Sequence, residues 1–275
     1  MISAIKKETL MKHLLKTTLA IALASCVTLS YAAKTVNIAN EANSAITPAQ
    51  KTQIQDIIHQ YLLDKPEVLV EALQSFQRKQ YEQAEQTVKK TQANVSQFAN
   101  ALFKQTNDPV AGNANGKVTV VEFFDYQCSH CVDMAPVIES IIKSNPDVRL
   151  VFKEFPIRGP LSQFAARAAL AANKQGKYYE LHNALLTTKQ PLTEAGVFEI
   201  AKGAGLNVDQ LKKDMDDKSV ENQLKDNLKL AQDLKLFGTP AFFIGKTDTQ
   251  NAKNINYVPG ALDQKQMQDM IDKAK

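Results

Sequence analysis

An apolar run that ends just before two closely spaced thiols constrains this chain more than any other feature. Val118-Thr119-Val120-Val121-Glu122-Phe123-Phe124 reads as a strand, and Cys128-Ser129-His130-Cys131 follows it where a helical pattern begins. Three positions apart, the two sulfurs reach each other within one helical turn. A helix N-terminus offers free backbone N–H groups and partial positive charge, so it favours a thiolate there. Zinc sites use the same spacing. A structural zinc needs four ligands. Beyond residue 32 there is no second cysteine pair, and His59, His130 and His182 supply the imidazoles.

The N-terminal segment reads as a secretory signal peptide over residues 1–32. Lys6, Lys7, Lys12 and Lys16 precede an apolar stretch from Leu19 to Leu29, and Ser30-Tyr31-Ala32 places small residues at the cleavage-determining positions. Met11 is an alternative start. The stretch is too short for an ordinary membrane span. Leu23-Ala24-Ser25-Cys26 resembles a lipobox, which would lipidate Cys26; ordinary cleavage is the expectation, and either route exports the product. Residues 1–32 hold four Lys and one Glu, hence three of the four net positive charges, and the remaining chain is near +1. That balance argues against a nucleic-acid binder. With Cys26 removed, Cys128 and Cys131 are the only cysteines. An exported chain with one thiol pair points to chemistry and not to stapling.

About 240 residues remain, enough for one large domain or two smaller ones. Residues 33–46 read as a polar lead. A helix is expected from Thr47-Pro48, with Thr as cap and Pro in the first turn. Ile54, Ile57, Ile58, Tyr61 and Leu62 share one face of it. Asp64-Lys65-Pro66 breaks and restarts the helix, and Val68, Leu69, Ala72, Leu73 and Phe76 form the next stripe. From Gln77 to Gln97 the pattern turns polar, with an apolar face too narrow for a large core. Residues 47–108 are either a solvated linker or an oligomerisation arm; the unpartnered stripe favours the arm. Asn107-Asp108-Pro109 and Gly112 to Gly116 mark a boundary. Residues 117–275 then read as β-α-β, with a strand from Lys117, a helix from about Cys131 and a strand from Val148 to Phe155. A helical block follows at about 161–236. A hairpin from Ala241 to Val258 and a closing helix from Leu262 to Ala274 complete the order. Glu122 alternates onto one face with Val118, Val120 and Phe124, so in a covered central strand it would be a buried acid; at a sheet edge it would lean out to solvent. His59 and His182 lie in helical patterns and read as packing residues. No Gly-rich phosphate loop, nucleophile elbow or H-E-x-x-H is present.

This order, with the C-x-x-C opening the first helix, resembles the thioredoxin fold with a helical insertion, as in the DsbA-like thiol:disulfide oxidoreductases of the bacterial periplasm. The stretch Tyr61-Leu62-Leu63-Asp64-Lys65-Pro66-Glu67-Val68-Leu69 resembles the oligomerisation region of one of their subgroups. The resemblance implies an α/β fold preceded by a helical oligomerisation segment. It implies Cys128 as the more exposed nucleophile, Cys131 as the buried resolving thiol and His130 as the neighbour that stabilises the Cys128 thiolate. Glu122 would take the proton of the second cysteine. Gly238-Thr239-Pro240 matches the loop whose proline is cis and faces the disulfide, where Thr239 backbone groups would pair with substrate. His between the cysteines is oxidase-like, whereas Thr before this proline is isomerase-like. The implied partners are unfolded or reduced exported proteins, a DsbB-like oxidant or DsbD-like reductant in the membrane, and further copies of this chain, a homodimer in preference to a trimer. No cofactor is implied, since the two sulfurs carry the redox equivalents. The alternatives are a dedicated isomerase or reductase kept reduced, and an oligomeric periplasmic chaperone or envelope scaffold. The intact mass of the exported protein tests the processing: it should correspond to a chain starting at Ala33, and a diacylated mass starting at Cys26 would contradict this.

Overall fold

The computed structural model describes residues 46–248 and 254–275. The segment read as a signal peptide, Cys26 and almost all of the stretch read as a polar lead lie outside the described residues. The chain divides into two compact units, one reaching to Phe76 and one spanning Gln77–Lys275.

In the first unit, helix α1 (Pro48–Asp64) opens with a capping box. Gln50 N–H donates to Thr47 Oγ1 at 3.3 Å, and Thr47 N–H donates to Gln50 Oε1 at 2.9 Å. The Lys65 N–H closes its end on Tyr61 O at 2.9 Å. Pro66 has no N–H to continue the ladder, and α2 (Glu67–Asn94) starts afresh. The apolar stripe anticipated above is real but uncovered. Ile54, Ile57, Ile58, Tyr61, Leu69, Leu73 and Phe76 are between 44% and 67% exposed.

The second unit is built on a five-stranded mixed sheet in the order β1-β3-β2-β4-β5. Its strands are β1 (Val110–Gly112), β2 (Val118–Phe124), β3 (Val148–Glu154), β4 (Ala241–Lys246) and β5 (Asn256–Pro259). β2 pairs parallel with β3 from Val118–Val148 to Phe124–Glu154, and antiparallel with β4 on its other side. β4 and β5 form the antiparallel hairpin, and β1 pairs antiparallel with β3. The parallel pair is joined by helix α4 (Ser129–Ser144). Five helices lie between β3 and β4: α5 (Pro160–Asn173), α6 (Tyr178–Thr187), α7 (Glu194–Gly203), α8 (Val208–Met215) and α9 (Lys218–Asp233). Helix α10 (Gln264–Ala274) closes the chain.

Every residue of β2 is buried, so alternation along it feeds two cores. Val118, Val120 and Phe124 join Leu150, Phe152 and Ile244 in the larger core, packed with residues of α4, α5, α6 and α10. Val121 and Phe123 join Val151 and Phe243 in the smaller one. The smaller core corrects the expectation for the segment before the boundary. α2 ends at Asn94, a 3-10 turn carries Val95–Phe98, and α3 (Ala99–Phe103) follows. Val95, Ala99, Leu102 and Phe103 cover the sheet, because the turn resets the helical period and gathers side chains that no uniform stripe would group. Two polar side chains anchor this segment. Thr91 Oγ1 donates to Leu234 O at 2.7 Å. The Gln92 amide donates to Ile255 O at 2.8 Å and accepts from Tyr257 N–H at 2.7 Å, completing one edge of β5. Strand β1 was not anticipated either; three residues are too few for a period to show. Gly112 holds it at φ 71°, where a Cβ would stand 2.7 Å from Val148 O.

Among the described residues no helix is long and apolar enough to cross a membrane. Leu102 has no exposed surface. Leu102→Ala should therefore cost ~2–5 kcal/mol of unfolding free energy, read as a lower denaturation midpoint in urea; a change within ~0.5 kcal/mol would place the 95–103 segment outside the cooperative core.

Candidate active site

Chain reversal after β2 brings the two thiols to the N-terminus of α4. Asp125 carries that reversal. Its Oδ1 accepts from Gln127 N–H at 2.8 Å and from Ser162 Oγ at 2.7 Å, and its Oδ2 accepts from the N–H groups of Ile157 and Arg158 at 2.7 and 2.9 Å. The Cys128 N–H donates to Asp125 O at 3.0 Å, and Cys128 itself is the N-cap of α4 in extended conformation (φ −88°, ψ 116°). Helix α4 thus begins two residues earlier than the pattern suggested. The cap is a cysteine whose carbonyl accepts from the Cys131 and Val132 N–H groups, both at 3.0 Å. Cys131 sits in the first turn. Both residues are free thiols.

The structure brings Cys128, Cys131, Thr239, Pro240 and Glu122 into one neighbourhood. Cys128 Sγ–H donates to Thr239 O at 3.2 Å, and the Thr239–Pro240 bond is cis. Cys128 is the less deeply buried of the two cysteines, and neither has exposed surface. The reason lies in two loops that no strand–helix reading supplies. The loop before β4 sets Thr239 against the sulfur, and the loop after β3 brings Arg158 Nη2 to 3.8 Å of it. His130 is exposed, and it acts on the Cys128 sulfur through its backbone N–H.

The two thiols have opposite electrostatic environments. Burial is the largest single influence on Cys128 and works upward. Hydrogen bonds from Thr239, the Cys131 N–H, the Cys131 thiol and the His130 N–H together outweigh it, and Cys128 is held below the ordinary thiol value. The Thr239 hydroxyl is buried and makes no hydrogen bond to the neutral thiol, so it is a donor in waiting for the thiolate. Cys131 is pushed far up, by burial first and then by the negative charge of Glu122.

Glu122 is 1% exposed, and neither carboxylate oxygen has a partner. Burial alone raises it to about 8. It pairs with Phe152 and Phe242 across the sheet and shares a small cavity with Ile138, Tyr179 and His182. Beside it lies a buried cluster that sequence reasoning missed. Tyr126 and Tyr178 hydroxyls donate to Glu154 Oε1 at 3.0 and 2.8 Å, and Tyr126 Oη is 3.2 Å from His182 Nδ1. With the Tyr126 hydroxyl hydrogen directed at Glu154, the His182 Nδ1–H donates to Tyr126 Oη. Burial pushes Glu154 well above the carboxylate range and lowers His182 to about 3. His182 stacks on Tyr178 and meets Phe124 edge-on, which fits the packing role expected of it. Asp125, Glu154 and Arg158 gave no local signal, since the partners that tie them into the site lie about 25–40 positions away. Among the described residues no three His, Cys, Asp or Glu side chains gather in a way that could hold a metal ion.

A dithiol opening a helix against a cis-proline loop, on a thioredoxin-type sheet with a helical insertion, defines the class of thiol:disulfide oxidoreductases. Residues 119–272 match the DSBA-like thioredoxin domain, and the chain belongs to that family. Residues 50–83 match the N-terminal domain of the copper resistance protein ScsC. Among solved structures, BcfH of Salmonella enterica Typhimurium is 35% identical, with 82% of this chain and 96% of that one covered at TM-score 0.59. A thioredoxin-like oxidoreductase from Silicibacter pomeroyi is 43% identical, over 64% of this chain and 96% of that one, at TM-score 0.58. ScsC of Proteus mirabilis, in a transitional conformation, is 27% identical over 84% of this chain and 98% of that one, at TM-score 0.57. The first curated relatives carry the name Na(+)/H(+) antiporter NhaA. That of Salinispora tropica is 29% identical over 157 residues, 56% of this chain and 24% of that protein, so the chain spans about a quarter of their length.

The buried groups impose a pH dependence on stability. Glu122 rises from 4.5 to about 8 on folding, so the folded state binds its proton more tightly. Its contribution is intact below about 4.5 and is lost as pH rises through 8. His182 falls from 6.5 to about 3, so its contribution is present above about 6.5 and is lost as pH falls toward 3. Glu122→Gln should remove the first slope: between pH 5 and 8 the dithiol form of the wild type loses on the order of a few kcal/mol relative to the variant, measured by urea denaturation. Parallel curves for the two proteins would show that Glu122 ionises freely.

Proposed function

We propose that this chain is an exported, periplasmic thiol:disulfide oxidoreductase that forms and isomerises disulfides in other exported proteins. The observation that carries the reading is Cys128 Sγ at the N-terminus of α4, 3.2 Å from the Thr239 carbonyl, with a low-value thiol at Cys128 and a high-value thiol at Cys131. In oxidation, a client thiolate attacks Cys128 Sγ of the Cys128–Cys131 disulfide. The S–S bond breaks, the electron pair goes to Cys131, and Glu122 is placed to deliver its proton. A second client thiolate attacks the client sulfur of the mixed disulfide, and Cys128 leaves as a thiolate. The client gains a disulfide and the enzyme two electrons. Reoxidation falls to a DsbB-like membrane oxidant. In isomerisation, Cys128 thiolate attacks a wrong client disulfide, and a DsbD-like reductant keeps the pair reduced.

The site roles follow from this scheme: Cys128 as nucleophile and leaving group, Cys131 as resolving thiol, His130 and Thr239 as donors to the thiolate, Pro240 as the loop that presents Thr239, and Glu122 as proton carrier. The uncovered stripe on α1 and α2 supports self-association of the first unit, since seven large apolar side chains at 44–67% exposure are unusual on a lone helix pair. The match of residues 50–83 to the ScsC N-terminal domain points the same way. An oligomer with several active sites facing one space favours the isomerase arm.

The test is an equilibrium titration of the purified protein in glutathione buffers, coupled to refolding of a scrambled disulfide substrate. A two-electron transition that Cys128→Ser abolishes, together with catalysed unscrambling, is expected. A cysteine pair that does not exchange with glutathione, or full biological activity in the double Cys-to-Ser variant, would favour the chaperone or scaffold reading.

A further inference from the structure

We propose that Arg158 is a further catalytic residue of this reaction, a cation held beside Cys128 Sγ to stabilise the negative charge that the sulfur carries as nucleophile and as leaving group. The inference rests on the oxidoreductase reading above and adds a group to its site.

Three observations carry it. First, Arg158 Nη2 donates to Cys128 Sγ at 3.8 Å, from a loop about thirty positions away in sequence. Second, that cation is uncommitted: among the described residues no carboxylate pairs with Arg158, although eleven ion pairs are present elsewhere. Third, the backbone that carries it is fixed. Asp125 is 1% exposed and uses one oxygen to accept from both Ile157 and Arg158 N–H groups, while its other oxygen holds the Gln127 N–H and the Ser162 hydroxyl. One buried carboxylate thereby ties the loop that leads into Cys128 to the loop that bears Arg158. Gly159 follows at φ 111°, a conformation that lets the chain turn into α5 directly after the arginine. Asp125 is a positioning residue in this scheme.

The chemistry places charge where the guanidinium sits. When the second client thiolate resolves the mixed disulfide, the client S–S bond forms, the Cys128–client bond breaks, and the electron pair leaves on Cys128 Sγ. A cation beside that sulfur lowers the cost of the departing charge, and a better leaving thiol leaves faster. It also stabilises the reduced enzyme relative to the disulfide, which makes the pair more oxidising. The other groups that face Cys128 are Cys131 and the His130 amide from α4, Thr239 from the loop before β4, and, beyond Cys131, the Glu122 carboxylate on β2. Of these, none brings a full positive charge, so Arg158 supplies a kind of stabilisation that the hydrogen-bond donors do not.

The experiment titrates the thiolate absorbance of the reduced mature chain against pH, at low and at high salt, for wild type, R158Q and R158K, with the glutathione equilibrium measured in parallel. Arg158 is exposed, so its replacement leaves the core intact. R158Q should raise the Cys128 titration midpoint, a loss of roughly fivefold or more in thiol acidity at low salt, and move the glutathione equilibrium toward reducing character by a similar factor. High salt should shrink the difference, as expected for a partly exposed cation. R158K keeps a charge and should restore part of the shift. A wild type and R158Q with coincident midpoints at low salt, or an R158K that behaves as R158Q, would overturn the role of Arg158 while normal glutathione exchange left the oxidoreductase reading standing. A wild-type pair that does not exchange at all would bring down both.

Discussion

Negative charge is tolerated at one sulfur and resisted at its neighbour one helical turn away, and the rest of the site depends on that contrast. Cys128 caps α4, where backbone N–H groups have no partner inside the helix and a thiolate can accept from them. Cys131 lies on the core side of the same turn, closed off from solvent and facing the carboxylate of Glu122. A pair arranged in this way has a defined direction. In the proposed exchange the mixed disulfide forms at Cys128, and Cys131 retains its proton until the exchange calls for it. The cis-proline loop adds Thr239, and the loop after β3 adds Arg158, so three separate segments converge on one atom.

The site has a stability cost that the scaffold must offset. Glu122 sits in the central strand with both oxygens unpartnered, and Glu154 beside it is only half satisfied. Desolvation keeps both carboxyls neutral well above the range of an exposed acid. His182 is held neutral in the same layer by the same burial. Two packed cores, one on each face of β2, hold these groups in place. A buried acid that is neutral near pH 7 and close to a buried thiol is suited to proton transfer, and an interior polar group without partners finds a physical reason in that task.

Much of this architecture was legible because it is local. The helical block expected at about 161–236 is present as five helices between Pro160 and Asp233. The Thr47 cap, the Pro66 restart and the β4–β5 hairpin follow from residue chemistry at fixed offsets. What escaped is what depends on chain reversal or on a change of period. Val95, Ala99, Leu102 and Phe103 come together through a 3-10 turn, and β1 is too short to alternate. The cover over Cys128 escaped for a similar reason, since Arg158 and Thr239 lie 30 and 111 positions away. Asp125 looks like any polar residue in a loop, and three of its four hydrogen bonds appear only once β3 and α5 are in place.

Alkylation of the reduced protein by iodoacetamide, followed across pH with the modified residue identified by mass, tests the contrast between the two sulfurs most directly. Cys128 should react first, with a rate midpoint below the ordinary thiol value of 9.0, while Cys131 stays unmodified at pH values where Cys128 is fully labelled. Equal labelling of the two cysteines, or a Cys128 midpoint at or above 9.0, would contradict the account.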